Sequence, residues 1–538
     1  MAGSLMVNRR RLLVGAGALA GAALIPGAAS ASAPVGARPA RSRLDYPFTL
    51  GVASGDPLPD SVVLWTRLAP RPLELDGGMP GRDVAVRWQV SESESFRKPV
   101  RQGVAMARAV DGHAVHVDVK GLRPHRWYWY RFIAGSEASP VGRTRTAPAL
   151  GTAPAVAFAF VSCSQYEHGY FTAYRHMADE NPDVVFHLGD YIYEYAPGGY
   201  VAPGGNVRDH VGDEIRTIED YRRRYAQYRT DADLQEAHAA APWIVTWDDH
   251  EVDNNYADDI PENRDPGQGN DTTANFRARR AAAYKAYWEN MPLRADRRAV
   301  GADMPLYRGF TYGNTASFSV LDTRQYRTDQ PCDDQFPAGC GEEFDPDATI
   351  LGNAQASWLE DRLAGSASVW NVVPQQIFFA NLDGEEGGPT DDDPRDGGYA
   401  DGWDGYRASR HRLLDFVAER GVENFVVLTG DIHSHYLADL RRDFEDESSP
   451  VLGTELVCSS ISSGGDGSDR SSFWPLLQPE NPHLRYNSNR RGYVSCRLDA
   501  ETCRADYRVL DYVSEPGAGL RTDASYVIES GEPGAQPA

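Results

Sequence analysis

The chain has 538 residues, 41% of them apolar and 24% charged, with a formal net charge of −23. That is material for two or three ordinary globular domains rather than for a disordered or fibrous chain. The acidic excess repels nucleic acid and anionic headgroups at long range, which argues against a nucleic-acid binder; it only disfavours a phosphorylated substrate, because a local cationic or metal site reverses the field.

Residues 8–33 run from Arg9, Arg10 and Arg11 through an apolar, glycine-rich stretch to small residues around Ala31 and Ala33. That pattern over 1–33 is an export signal, not a membrane span. Arg9 and Arg10, followed by Arg11, Leu12 and Leu13, resemble a twin-arginine signal, whose export machinery carries folded proteins and suits one that takes up a metal first. An ordinary secretory signal with a basic start is the alternative. No other stretch is apolar and long enough to span a bilayer, so the expected product is secreted or associated with the cell wall.

Residues 34–44 read as a flexible leader. From 45 to 148 short runs alternate apolar and polar residues, as at Val84, Val86, Trp88 and Val90 and again at Val115, Val117 and Val119, with Gly/Pro turns between them. This predicts a small β-sandwich domain. After a linker rich in small residues and Pro, apolar strands alternate with helical stretches at 170–180, 218–230, 274–290, 354–364 and 405–420. The alternation predicts an α/β layered domain over 149–525. The acidic, glycine-rich stretch 383–405 reads as a surface loop, and 526–538 as a disordered tail.

Six cysteines are present. Cys332 and Cys340 bracket a loop with Pro and Gly, and Cys496 and Cys503 bracket what reads as a hairpin. Both pairs are expected to close as disulfides in an oxidising compartment. Cys458 reads as a buried strand thiol, and Cys163 as a candidate metal ligand.

Five apolar runs each end in chemistry-bearing residues. The run at 155–162 leads to Cys163, and that at 184–188 to Asp190, Tyr191 and Tyr193. The run at 242–247 leads to Asp248, Asp249, His250 and Glu251, that at 318–321 to Asp322 and Arg324, and that at 425–429 to Asp431, His433 and His435. Near-continuous apolar runs of this length are strands covered on both faces, and ligands in open sheets sit past the carboxyl ends of such strands. Each motif alone is ambiguous: two nearby histidines are more often packed than ligating, and an acidic doublet is usually a solvated loop. Their joint placement points to a metal site. Carboxylates and phenolate favour hard ions, imidazole transition metals, and thiolate softer ones, so the mixture suggests more than one ion. There is no G-x-S-x-G elbow, Walker loop or G-x-G-x-x-G turn after a strand.

The stretches "SCSQ" (162–165), "GDYIYEY" (189–195), "WDDHEVDNN" (247–255), "LDTRQYR" (321–327) and "GDIHSH" (430–435) together resemble the PhoD-like alkaline phosphatases, a metallophosphoesterase family related to the purple acid phosphatases. Some actinomycete phospholipase D enzymes belong to the same group. The resemblance covers nearly all of the chain beyond the signal. It implies a layered metallophosphoesterase β-sandwich core with flanking helices, preceded by a small all-β domain like fibronectin type III. It also implies an Fe3+/Ca2+ site in which Asp190 bridges two ions. Cys163, Tyr193 and His433 would bind the iron, and Asp249 and Asp431 the second ion; His250 would hold the phosphate or protonate the leaving group. Val373 to Gln376 stand where the superfamily carries a further His ligand. The missing nitrogen favours Ca2+ over Zn2+ at the second site. His435 falls outside the matched motif and is expected behind the ligands. By its chemistry alone, Arg324 is a candidate phosphate clamp.

The implied activity is two-metal hydrolysis of phosphate mono- and diesters without a covalent enzyme intermediate, with phosphate scavenging as its role. Small phosphate esters are the expected substrates, with phospholipid or wall teichoic acid as further partners. A phospholipase D or phosphodiesterase on the same scaffold is the alternative. A non-catalytic wall-binding protein is the remote one.

Overall fold

Strand composition decides the layering. In Val156–Val161, Phe158 and Phe160 point to one face while Ala159 and Val161 point to the other, and all four are buried. A strand covered on both sides needs a layer on each, and the computed structural model supplies them; it describes residues 45–263, 270–334, 340–382 and 398–538. The export signal and the leader lie outside the described residues.

Two sheets pack face to face. In the ten-stranded sheet, Val156–Val161, Val184–His187, Pro242–Val245 and Val52–Leu58 run parallel and side by side. In the eight-stranded sheet, Ala316–Val320, Trp370–Pro374, Phe425–Thr429 and Val451–Val457 do the same. Between the sheets lies one apolar layer built from Phe158, Phe160, Phe186, Phe318, Val372, Val426 and Leu428. The outer face of the first sheet packs on helices Thr172–Asp179, Ile218–Arg229, Ala232–Ala240 and Thr273–Asn290. The outer face of the second packs on Gly352–Ala364 and Arg407–Arg420. The result is the helix–sheet–sheet–helix sandwich expected for the α/β region. Among the described residues no helix is long and apolar enough to cross a membrane.

The all-β region before it is present, and its strands divide. Val84–Ser91, Arg101–Ala107, Trp127–Ala134, Glu137–Ala138 and Gly142–Arg145 form a separate sheet of five strands. Val52–Leu58, Ser61–Arg67 and Ala114–Lys120 instead extend the large sheet, through Ser54 opposite Pro242 and Gly55 opposite Trp243. A Cβ on Gly55 would lie 2.6 Å from the carbonyl oxygen of Trp243, so the close seam requires glycine.

Several expectations are corrected. Cys332 and Cys340 form a disulfide, but Cys496 and Cys503 do not; they are free and buried, as are Cys163 and Cys458. The register explains this: Cys496 faces Ala505 and Cys503 faces Leu498, so the two thiols sit two residues out of step on one apolar face. The tail is not disordered. Glu532–Pro537 pairs antiparallel with Leu520–Glu529 as the outermost strand of the large sheet, and Ala535 is buried. An edge strand bonds on one side only, which is where proline is tolerated. Of the supposed surface loop 383–405, residues 383–397 lie outside the described residues. Asp401 and Asp404 are buried, held by Arg324 and Arg327 and by Arg410 respectively. Two helices were not expected, Ala232–Ala240 and Trp474–Glu480; the second carries Pro475 and Pro479, which read locally as breakers.

Candidate metal centre and active site

The parallel strands of both sheets end at the same rim. Cys163 follows Val156–Val161, Asp190 follows Val184–His187, Asp248 and Asp249 follow Pro242–Val245, Arg324 follows Ala316–Val320, and Asp431 and His433 follow Phe425–Thr429. The two rims are stitched together where Ser162 bridges to Ser460 and where the Ile461 N–H donates to the Ser162 carbonyl at 3.0 Å. Cys163, Asp190, Asp431 and His433 all have positive φ, between 53° and 62°. The left-handed region is uncommon for such residues and clusters at functional sites. Here the reversal turns each side chain off its strand axis toward a common point.

Three overlapping groups of donor atoms result, each with its atoms within 4.8 Å of one another: Cys163, Asp190 and His433; Asp190, Asp249 and His250; and Asp248, Asp249 and Asp431. Asp190 and Asp249 each belong to two of them. Tyr193 joins the first group, since its hydroxyl donates to Asp190 Oδ2 at 2.9 Å and lies 3.1 Å from His433 Nε2. Ser463 Oγ donates to that phenol at 2.7 Å.

These groups fit metal ions. Asp190 Oδ1, Asp248 Oδ2, Asp249 Oδ1 and Asp431 Oδ2 are buried without a hydrogen-bond partner. Buried unpaired carboxylate oxygens are costly unless a cation meets them. Burial and neighbouring carboxylates push Asp190 and Asp431 well above the usual carboxylate range. Burial, with Asp190 beside it, likewise raises the Cys163 thiol. Ionising the whole set therefore calls for added positive charge. The first group offers thiol, phenol, imidazole and carboxylate, a donor set for a transition ion such as iron; the third offers only carboxylates, a set for a hard ion such as calcium.

His250 is placed by a different partner. Its Nδ1 lies 2.8 Å from Glu194 Oε2, and its ring centroid is 4.1 Å from that of Tyr193. Burial opposes protonation, but Glu194, Asp249 and Asp190 outweigh it and raise the ring well above its usual range.

Arg324 does not reach the open site. Fully buried, it bonds Asp248 through Nε at 2.5 Å and Asp401 through Nη1 at 2.7 Å, and its Nη2 lies 3.6 Å from both Asp249 and Asp431. It is set to balance carboxylates. Gln376, standing where the superfamily carries a histidine, is a strut: its amide donates to Thr246, Trp247 and Leu321, and its oxygen accepts from Thr323. His435 lies behind the donors, accepting the Ser459 N–H at 3.0 Å, and belongs to none of the three groups.

The donors floor a cavity of about 950 Å3 lined by Asp190, Asp249, His250, Asp431 and His433. The rest of the lining includes polar and aromatic residues, Tyr195, Tyr200, Asn254 and Asn255 among them, and an apolar set of Leu382, Ile432, Tyr436, Phe473, Leu476 and Leu477. The sequence assigns no role to Asp248, Glu194 or Asp401. Asp248 was visible as the first half of an acidic doublet, and Glu194 as the acid after Tyr193. Nothing local marks Asp401, whose burial depends on two arginines 77 and 74 residues away.

The family model described as PhoD-like phosphatase matches residues 158–507, and the model of that family's N-terminal domain matches 30–148. Alkaline phosphatase D of Bacillus subtilis (strain 168) is 51% identical over 530 residues, covering 98% of this chain and 88% of that protein. A solved structure of PhoD, 51% identical, superposes with a TM-score of 0.88 over 93% of each chain. Purple acid phosphatase PPD1 from yellow lupin (Lupinus luteus) seeds, 13% identical with a TM-score of 0.51 over 90% of this chain and 74% of that one, shares the fold. With both family models matched and a relative of this identity along almost its whole length, the chain belongs to the PhoD-like phosphatase family.

Proposed function

We propose that this protein is an exported, metal-dependent phosphate-ester hydrolase, an alkaline phosphatase acting on mono- and diesters in phosphate scavenging. The observation that carries the reading is the convergence of three donor groups, with unpaired carboxylate oxygens, on the floor of one open cavity. Cys163, Asp190, Tyr193 and His433 would hold Fe3+, and Asp190, Asp249 and Asp431, with Asp248 beside them, would hold Ca2+. Bound there, the ions supply Lewis acidity and an activated water.

The chain's own residues do the rest. Glu194 orients the His250 ring through Nδ1 and leaves Nε2 to hold a proton for the departing alcohol. Arg324 balances the charge of Asp248, Asp249, Asp401 and Asp431 and keeps their carboxylates apart. The export route rests on the twin-arginine resemblance of the first 33 residues.

A second reading, hydrolysis of diesters with an apolar arm as in a phospholipid, is favoured by Leu382, Ile432, Phe473 and Leu476 in the lining of the same cavity as the carboxylates. Phe473 and Leu476 are 65% and 63% exposed, so these two are open to a ligand. Turnover of nitrophenyl phosphate, its bis ester and phosphatidylcholine by one preparation separates the readings. Hydrolysis of the first two with little of the third supports the first reading. Activity on none of them contradicts both.

A further inference from the structure

Glu251 is buried and belongs to none of the three donor groups, yet its carboxylate is fully engaged at the centre of the site. Its Oε2 accepts the backbone N–H of Asp190 at 3.0 Å and of Asp248 at 2.8 Å, and its Oε1 accepts that of Tyr191 at 2.6 Å. The three donors come from two loops. Asp190 and Tyr191 follow Val184–His187; Asp248 follows Pro242–Val245, its parallel neighbour. The loops touch at a point where no side chain fits: Gly189 has φ +117°, and a Cβ there would lie 2.3 Å from Cβ of Asp248. Turns this tight leave backbone N–H groups without a ladder partner, and a buried orphan N–H is costly.

We propose that Glu251 is a positioning residue that fastens these two loops together and so sets the spacing between Asp190 and the pair Asp248 and Asp249. The inference rests on the metal-site reading above and deepens it. Asp190 and Asp249 each belong to two donor groups, and Asp248 and Asp249 belong to the carboxylate-only group. The distance between the two loops therefore sets how the donor groups that would hold the ions are placed relative to one another. A carboxylate suits the task because both of its oxygens accept a backbone N–H here. Glutamine offers one accepting oxygen and turns an NH2 group toward at least one backbone N–H. Aspartate keeps the carboxylate but is one methylene short of spanning both loops.

The test uses the full-length protein purified with its metals, depleted of calcium by a chelator and titrated with Ca2+ alone by calorimetry, with melting temperature as the folding control. Glu251→Gln and Glu251→Asp are each expected to weaken calcium binding about 10- to 100-fold, the usual cost of losing a partner that orients a ligand. Wild-type affinity in a folded Glu251→Gln variant overturns the clamp. Should wild-type protein bind no calcium, the metal reading itself fails, and hydrogen exchange decides the clamp separately. In calcium-depleted wild-type protein the amides of Asp190, Tyr191 and Asp248 should stay protected, because Glu251 alone satisfies them. The same measurement decides the matter if the variants do not fold. Exchange at the rate of an open loop overturns the proposal.

Discussion

Tyr193 shows how much rests on a single oxygen. Its ring packs against His250, and its hydroxyl meets Asp190, His433 and Ser463. Burial and Asp190 raise the phenol well above its usual range in the metal-free chain. A trivalent cation would reverse that, since a coordinated group ionises readily. Tyr193→Phe removes the oxygen and keeps the ring. It should fold, with stability changed by about 1 kcal/mol, but lose the visible phenolate-to-iron band and most activity. An absorption spectrum and a melting curve check this; a variant that keeps its colour would show that the phenol is only packing. His250 yields a second prediction. His250→Asn should slow hydrolysis about 100- to 10,000-fold for alkyl esters. Nitrophenyl esters should suffer much less, because nitrophenolate departs without a proton. Equal losses on both substrates would remove the proton-donor role. The positions of Cys163, Asp190, Asp249, Asp431 and His433 were legible because each follows an apolar run, while their roles as ligands were implied only by the family resemblance. Asp401 and the Glu194 partner of His250 were not, because their roles depend on contacts far along the chain or on a ring orientation that only the fold sets.

Strands were the most legible elements and short irregular ones the least. Continuous apolar runs such as Phe425–Thr429 can satisfy their backbone only inside a sheet covered on both faces, so their type and direction follow from composition. Trp474–Glu480 was illegible because Pro475 and Pro479 punctuate it, although a proline in the first turn gives up no helix bond. The tail was illegible for a related reason: Pro533 and Pro537 argue against an inner strand but not against an edge. Glu532–Pro537 buries Ala535 and is joined at its turn where Gly531 N–H donates to Asn424. Deleting 531–538 should therefore destabilise the protein by about 1–3 kcal/mol, lowering the melting temperature without changing substrate preference. An unchanged melting temperature would mean the strand adds nothing. The hairpin cysteines give a sharper check. Unfolded without reductant, the protein should expose four titratable thiols, those of Cys163, Cys458, Cys496 and Cys503. Two would indicate that a second disulfide has formed.

At the scale of the whole molecule, a net charge of −23 is accompanied by a floor of buried carboxylates with unpaired oxygens, which calls for added cations. Two sheets are pressed together so that their strand ends share one rim, and the charge gathered there is balanced within the chain chiefly by Arg324. The two ions should differ in exchange. A group of thiol, phenol and imidazole would bind iron tightly, whereas a carboxylate-only group would release calcium readily. Calcium chelation should abolish hydrolysis, and added Ca2+ should restore it, with the iron retained throughout. The most direct measurement is elemental analysis of protein purified without chelators, taken together with its visible spectrum. The account predicts about one iron per chain, calcium in addition, and a coloured protein. Full activity in a colourless protein that contains only zinc, or no metal at all, would contradict it.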